Sequence, residues 1–309
     1  MKSKQKSRHL WFFLGAVGIL LAAPNATIIK ATTDVIDPAQ FNFIRFGMLM
    51  VVALPYLFLT RRKLNKENLR YALMTGVALA FAVQGFVLGV KYSQASYASI
   101  LSLLSPIVFV FYSVRMTKEK ISPNAIAGIA LAAAGALIVV ALPIAMSQNG
   151  DFVFNAGATA LIMVSVVAYP LVIIFSKKAN QAGLPLISNM AVSGLVVFIS
   201  SALIIIIDPP ESPLVMTQNI FLACLYSGIF IALVGRVLSV AAYERIGSAS
   251  ISAISYFEKL VAIMIPVVVL GEELSIEMIL GGIMILFGIF LVEYHTPRLF
   301  KHFHFYRHH

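Results

Sequence analysis

Runs of about twenty apolar residues recur along the whole chain, and the short loops between them carry most of the lysines and arginines. A helix of that length rises roughly 30 Å, the hydrocarbon thickness of a bilayer. Hydrophobic residues make up 60% of the 309 positions and charged residues only 12%, against roughly 25% charged in soluble domains. That much apolar surface cannot be hidden in a water-soluble core of this size. A membrane β-barrel is also disfavoured, because its strands would alternate polar and apolar over about ten residues. The expected fold class is an all-α integral membrane protein.

The sequence predicts ten transmembrane helices, at about 10–29, 41–60, 69–90, 95–114, 124–146, 156–175, 186–207, 218–243, 248–270 and 276–294. Lysine and arginine excess marks cytoplasmic loops. With the N-terminus inside, eighteen basic residues fall on the cytoplasmic side, including Arg61, Arg62, Lys63, Lys66, Arg70 and Arg245. Only Lys30 and Lys91 fall outside, and Arg45, Arg236 and Lys259 lie within spans. Losing one span would scramble this separation, so both termini are expected in the cytoplasm of a plasma or inner membrane protein. Basic Met1–Arg8 followed by apolar residues from Leu10 also fits a secretory leader. The charge count works only if the segment stays as the first span. The net charge of +10 sits in these loops, which argues against nucleic acid as a partner.

The chain repeats itself. A shift of 153 carries Glu119 onto Glu272, Ser122 onto Ser275, Gly128 onto Gly281, Gly135 onto Gly288, Ser99 onto Ser252 and Pro106 onto Lys259. Pro24 and Pro170 are expected to interrupt the first helix of each half. Five spans per half is an odd number, so the halves, 1–147 and 148–297, would sit in opposite orientations, followed by a basic and aromatic tail at 298–309. Inverted repeats of this kind are the architecture of many secondary transporters, with binding near the midplane.

Charge in the middle of a span marks the candidate site. Glu258 and Lys259 lie about ten residues from either end of the ninth span, where each charge costs roughly 2.5–3.5 kcal/mol to insert. At about 100° per residue, Ser248, Ser252, Ser255 and Lys259 share a stripe about 60° wide, matched in the fourth span by Ala95, Ser99, Ser102 and Pro106. Serines also allow close packing and bond their own carbonyls, so both readings stay open. Neighbours in sequence do not face each other on a helix, which makes Lys259 a poor partner for Glu258 and Arg236, across the hairpin, a better one. Gln84 in the third span is a further candidate for solute binding, although a bond to a neighbouring helix accounts for it better. Arg45, near an outer helix end, is expected to snorkel. Gly85 and Gly89 form a GxxxG pair that suits packing inside the bundle or a homodimer.

Enzyme and pump motifs are missing: there is no P-loop, HExxH or GxSxG. No cofactor and no metal is expected. The histidines of the tail suit interfacial anchoring better than metal binding, and Cys224 inside an apolar run is a small hydrophobe rather than a reactive thiol.

Two five-helix halves, each with a Glu-[Lys/Glu]-[Ile/Leu]-Ser motif before Gly128 or Gly281, resemble the EamA-type drug/metabolite transporter superfamily over nearly the whole chain. The resemblance implies a gradient-coupled carrier or exchanger of small metabolites, often an exporter of amino acids. It also implies a central cavity lined by the third, fourth, eighth and ninth helices, among others. One departure stands out: Glu258-Lys259 occupies a place where such proteins often read Glu-Pro. Removing that proline removes a helix break and adds a charge, with Pro266 left to supply a kink.

The expected function is therefore a secondary transporter of small organic solutes, amino acids or other carboxylates, with Glu258, Lys259, Arg236, Ser255, Ser252, Ser102, Ser99 and Gln84 as substrate-binding candidates and protons as a candidate coupling ion. Its partners would be the solute and the lipid bilayer, and its state a monomer or homodimer. The alternatives are a lipophilic-cation or drug efflux carrier, which needs Glu258 unpaired, and a non-transporting receptor or assembly subunit.

Overall fold

Whether each apolar run forms one helix or two depends on its prolines and on what packs around them. A computed structural model describes residues 2–117, 123–146, 155–210, 213–246 and 248–295. The first run breaks: α1 (Lys2–Leu20) ends in a turn, and α2 (Asn25–Thr33) restarts behind Pro24. Next come α3 (Pro38–Leu59) and α4 (Lys66–Lys91), each opened by a reciprocal cap, Asp37 with Gln40 and Asn65 with Asn68. The fourth run breaks into α5 (Ala95–Ser102) and α6 (Ser105–Thr117), with Pro106 in the first turn of the second piece. Proline fits there because the first amides of a helix have no intrahelical partner. The first half closes with α7 (Pro123–Met146).

The second half opens with α8 (Ala156–Gln181) and α9 (Leu186–Ile207). Pro170 does not interrupt α8, contrary to the sequence expectation: it lies buried inside one continuous 26-residue helix. Dense packing on α4 holds this helix together, with backbone contact at Gly85 and Gly89. The eighth run is α10 (Gln218–Leu225), a π-helical segment (Tyr226–Gly235) and α11 (Arg236–Ile246). Then α12 (Ser248–Leu270) runs unbroken through Lys259, with Pro266 inside it, and α13 (Ile276–His295) follows. Lysine has the amide hydrogen that Pro106 lacks, so the ninth run stays whole where the fourth breaks.

The fold is all-helical, with no strand among the described residues. Seven of the described helical stretches are long and apolar enough to cross a membrane, and two shorter apolar helices, Ile126–Ala141 and Ile276–Val292, accompany them. Large apolar side chains such as Leu59, Ile207, Val268 and Val269 stand on the outside. In water such a surface would drive aggregation; against lipid tails it is at home.

The core lies where α2, α4, α5 and α8 meet, around the fully buried Ile29, Tyr97, Ile100 and Ile162. The principal helix pairs are α4 with α8, α7 with α13, α3 with α9, α4 with α9, α1 with α11 and α5 with α12, and α3 also packs on the eighth run. Exchanging the halves maps this set of pairs onto itself.

Candidate functional site

Glu258 sits in the middle of α12, 4% exposed. Its Oε2 lies 3.1 Å from Nζ of Lys259, whose side chain is 38% exposed. The expectation that these neighbours are a poor pair is overturned. Their Cβ atoms diverge by about 100°, but the four-carbon lysine stem curls round the helix and brings the ammonium back. The result is a one-sided ion pair, with a buried carboxylate and a part-exposed lysine side chain.

Arg236, expected to bridge Glu258, is the first residue of α11, directly after the π-helical segment. It is partly buried, and among the described residues it forms no ion pair. Ser255 is partly buried one turn before Lys259. The side chains of Ser248 and Ser252 lie outside the described residues, as does the histidine-bearing tail.

In the first half the proposed serine stripe is cut by the helix break after Ser102. Ser99 Oγ donates to the carbonyl of Ala95 at 2.8 Å and Ser102 Oγ to that of Ser99 at 2.7 Å. Both hydroxyl protons are thus used by the local backbone, which leaves only their lone pairs for a solute. Gln84 is engaged at both ends of its amide: Oε1 accepts from Asn42 Nδ2 at 2.7 Å, and Nε2 donates to Ser201 Oγ at 2.8 Å. It ties α3, α4 and α9 together, the bond to neighbouring helices that the sequence favoured.

A family model for EamA-like transporters matches this chain twice, at residues 9–141 and 157–294. The chain belongs to the EamA-like transporter family. It is similar to an uncharacterized transporter of Clostridium kluyveri, 24% identical over 267 residues and covering 84% of each chain. It is also similar to a Salmonella typhimurium protein named "probable amino-acid metabolite efflux pump", 23% identical over 288 residues, 90% of this chain and 93% of that one. A solved crystal structure superposes with a TM-score of 0.62 at 17% identity, covering 94% of this chain and 99% of that one; it supports the fold.

In this EamA-like, multi-pass membrane protein, the large surface groove lies away from Glu258. It has a volume of about 1100 Å³ and runs between α4 and α8, past Val77, Phe81, Met163 and Val167, with Lys66 and Arg70 at one end. None of the residues predicted from sequence to bind substrate lines it.

Two other functional-looking residues escaped sequence reasoning. Glu272 caps α5 from the far half of the chain: its carboxylate accepts from the amides of Ala95 (2.7 Å) and Ser96 (2.8 Å) and from Ser96 Oγ (2.6 Å). The repeated Glu-x-x-Ser motif was the signal, but a sequence does not name the amides that a carboxylate reaches. The other is Arg45, which does not snorkel. It is 7% exposed, with its guanidinium 4.8 Å from the ring centre of Phe41 and 5.3 Å from that of Phe46. It points into the bundle because α3 turns this face towards the π-helical segment, where backbone meets backbone at Gly228.

Proposed function

We propose that this transporter is a secondary carrier of small organic metabolites, amino acids or other carboxylates, at the cell membrane, with both termini in the cytoplasm. Ten spans in two inverted repeats, 1–147 and 148–297, would move against each other around the Glu258–Lys259 region. Two observations support the repeat: the family matches twice, and the helix pairs exchange symmetrically.

The carrying observation is the part-exposed side chain of Lys259, its ammonium paired with a buried Glu258 in mid-helix. In an intramembrane ion pair with one accessible member, the ammonium can exchange its carboxylate for that of a solute, while the freed carboxylate takes up a proton. Ser252 and Ser255 precede it on α12, Arg236 starts the neighbouring α11, and Ser99 and Ser102 lie on α5, which packs on α12. A lipophilic-cation exporter would need Glu258 free, and here it has a counter-ion, which favours the carboxylate reading. The likeness to a protein named for amino-acid metabolite efflux points the same way.

The test is flux of labelled amino acids in liposomes under a pH gradient. Uptake or release that depends on the gradient is expected, with Lys259→Ala lowering it about tenfold, as for loss of one charge-assisted contact. Equal flux in Lys259→Ala and wild type removes Lys259 from the mechanism. No flux, together with a stoichiometric protein partner on purification, points to an assembly subunit instead.

A further inference from the structure

We infer that Arg45 is a second, unassigned anchor: a binding site for a small carboxylate, built where α2, α3 and the π-helical segment meet. Its physiological meaning rests on the carrier reading above, but its evidence is independent of Glu258 and Lys259.

Arg45 is the eighth residue of α3, about 10 Å along the axis from that helix's start. Among the described residues no carboxylate reaches it, no hydrogen bond leaves its side chain, and its Nε has no partner. Phe41 and Phe46 offer ring faces. Cation–π attraction offsets part of the desolvation of a guanidinium but gives its N–H groups no acceptor. A guanidinium also cannot shed its proton near neutral pH. A buried, permanent charge with unfilled donors is costly unless an anion completes it.

The surroundings are short of partners in the same way. Asn42, one turn back on α3 and wholly buried, has an unpaired Oδ1. Ser227, next to the Gly228 contact with the Arg45 backbone, has an unpaired Oγ, and so does Thr27 on α2. The three elements that carry these groups all touch one another. Several orphaned polar atoms on three elements in mutual contact are unusual, and π-helical segments are frequently found at functional sites. The chemistry is that of a carboxylate site: the guanidinium and two hydroxyls donate to the anion, and Asn42 Oδ1 is free to accept from a hydroxyl or ammonium on the same solute. The Asn42 amide is already aimed by Gln84.

Phenylglyoxal labelling of the full chain in liposomes tests this, with adducts at Arg45 and at exposed Arg61 read separately by mass spectrometry. Labelling of Arg45 is expected to slow about tenfold when lactate is raised to about ten times its Kd, as the free fraction of the site falls, with no change in lactamide and none at Arg61. No adduct at Arg45 while Arg61 reacts, or equal protection by lactate and lactamide, overturns the site. So does unslowed labelling in lactate. Arg45→Gln is expected to abolish lactate-dependent thermal stabilisation while Arg45→Lys keeps part of it; equal stabilisation of wild type and both variants also overturns the proposal. The two readings separate cleanly. Protection without flux of any solute supports this site and counts against the carrier, whereas flux without protection retains the carrier and removes the site.

Discussion

Gly128 on α7 packs against the carbonyl of Gly288 on α13, and Gly288 packs against the carbonyl of Gly128. A Cβ at Gly128 would come within 2.6 Å of the Gly288 oxygen, and one at Gly288 within 2.5 Å of the Gly128 oxygen. Gly135 and Gly281 form a second such pair on the same two helices, again reciprocally. Each glycine of α7 meets the counterpart of the other one, as at an interface between copies related by a two-fold axis. Without a hydrophobic force to join helices in lipid, close backbone approach supplies the dispersion contacts that do.

Valine at Gly128 or at Gly288 is therefore expected to destabilise the purified protein by about 1–3 kcal/mol each, because the obstructing atom is backbone and cannot rotate away. Thermal unfolding in detergent would read this as similar losses for the two variants. Gly282→Ala, whose new methyl would meet nothing closer than Ile100 at 3.8 Å, should leave stability unchanged or slightly raised. An equal loss in Gly282→Ala would mean that helix flexibility matters here rather than close approach.

Removing the long-range cap has a graded effect. Glu272→Gln keeps one acceptor for the α5 amides and should cost about 1 kcal/mol, whereas Glu272→Ala strips both amides and Ser96 and should cost about 1–3 kcal/mol. Amide hydrogen exchange at Ala95 and Ser96 should speed up in the same order. Unchanged exchange in Glu272→Ala would show that the cap is not formed in the membrane.

The pair on α12 calls for a double-mutant cycle. Lys259→Met leaves a buried carboxylate without its counter-ion and should destabilise by about 1–3 kcal/mol, at the low end for a pair whose lysine is half-exposed. Adding Glu258→Gln should recover much of that loss. Strictly additive effects of the two changes would mean that the 3.1 Å contact carries no energy.

Gln84→Leu should cost more than Ser201→Ala, by about 1 kcal/mol, since it leaves the buried Asn42 amide without its acceptor, whereas Ser201 Oγ still donates to the Val197 carbonyl. If Asn42 helps to hold a solute beside Arg45, Gln84→Leu should also weaken lactate protection of Arg45, which Ser201→Ala should spare. Equal unfolding temperatures for the two single variants would contradict the bridging role.

Glu258, Pro106 and Arg45 show how far the residues alone carry. That Glu258 and Lys259 lie in mid-span was legible, because hydropathy and charge depend only on residue type and position along a helix. So was the break at Pro106 and its loss at Lys259, which follows from a missing amide hydrogen. The partner of Glu258 was not legible: a periodicity argument fixes where Cβ points, not where a flexible lysine stem ends. Arg45 was misread for a similar reason. Its place near a helix end suggested snorkelling, and only the π-helical segment at Gly228 turns that face inward.

Sequence by itself determined the membrane class, the helical runs and the internal repeat, since burying apolar side chains and satisfying every backbone amide in lipid leaves few other solutions. The packing of helices far apart in the chain decided the rest. Which carboxylate caps which helix, which glycines touch, and which buried cation lacks a partner depend on distances of a few tenths of an ångström between segments that the order of residues does not bring together.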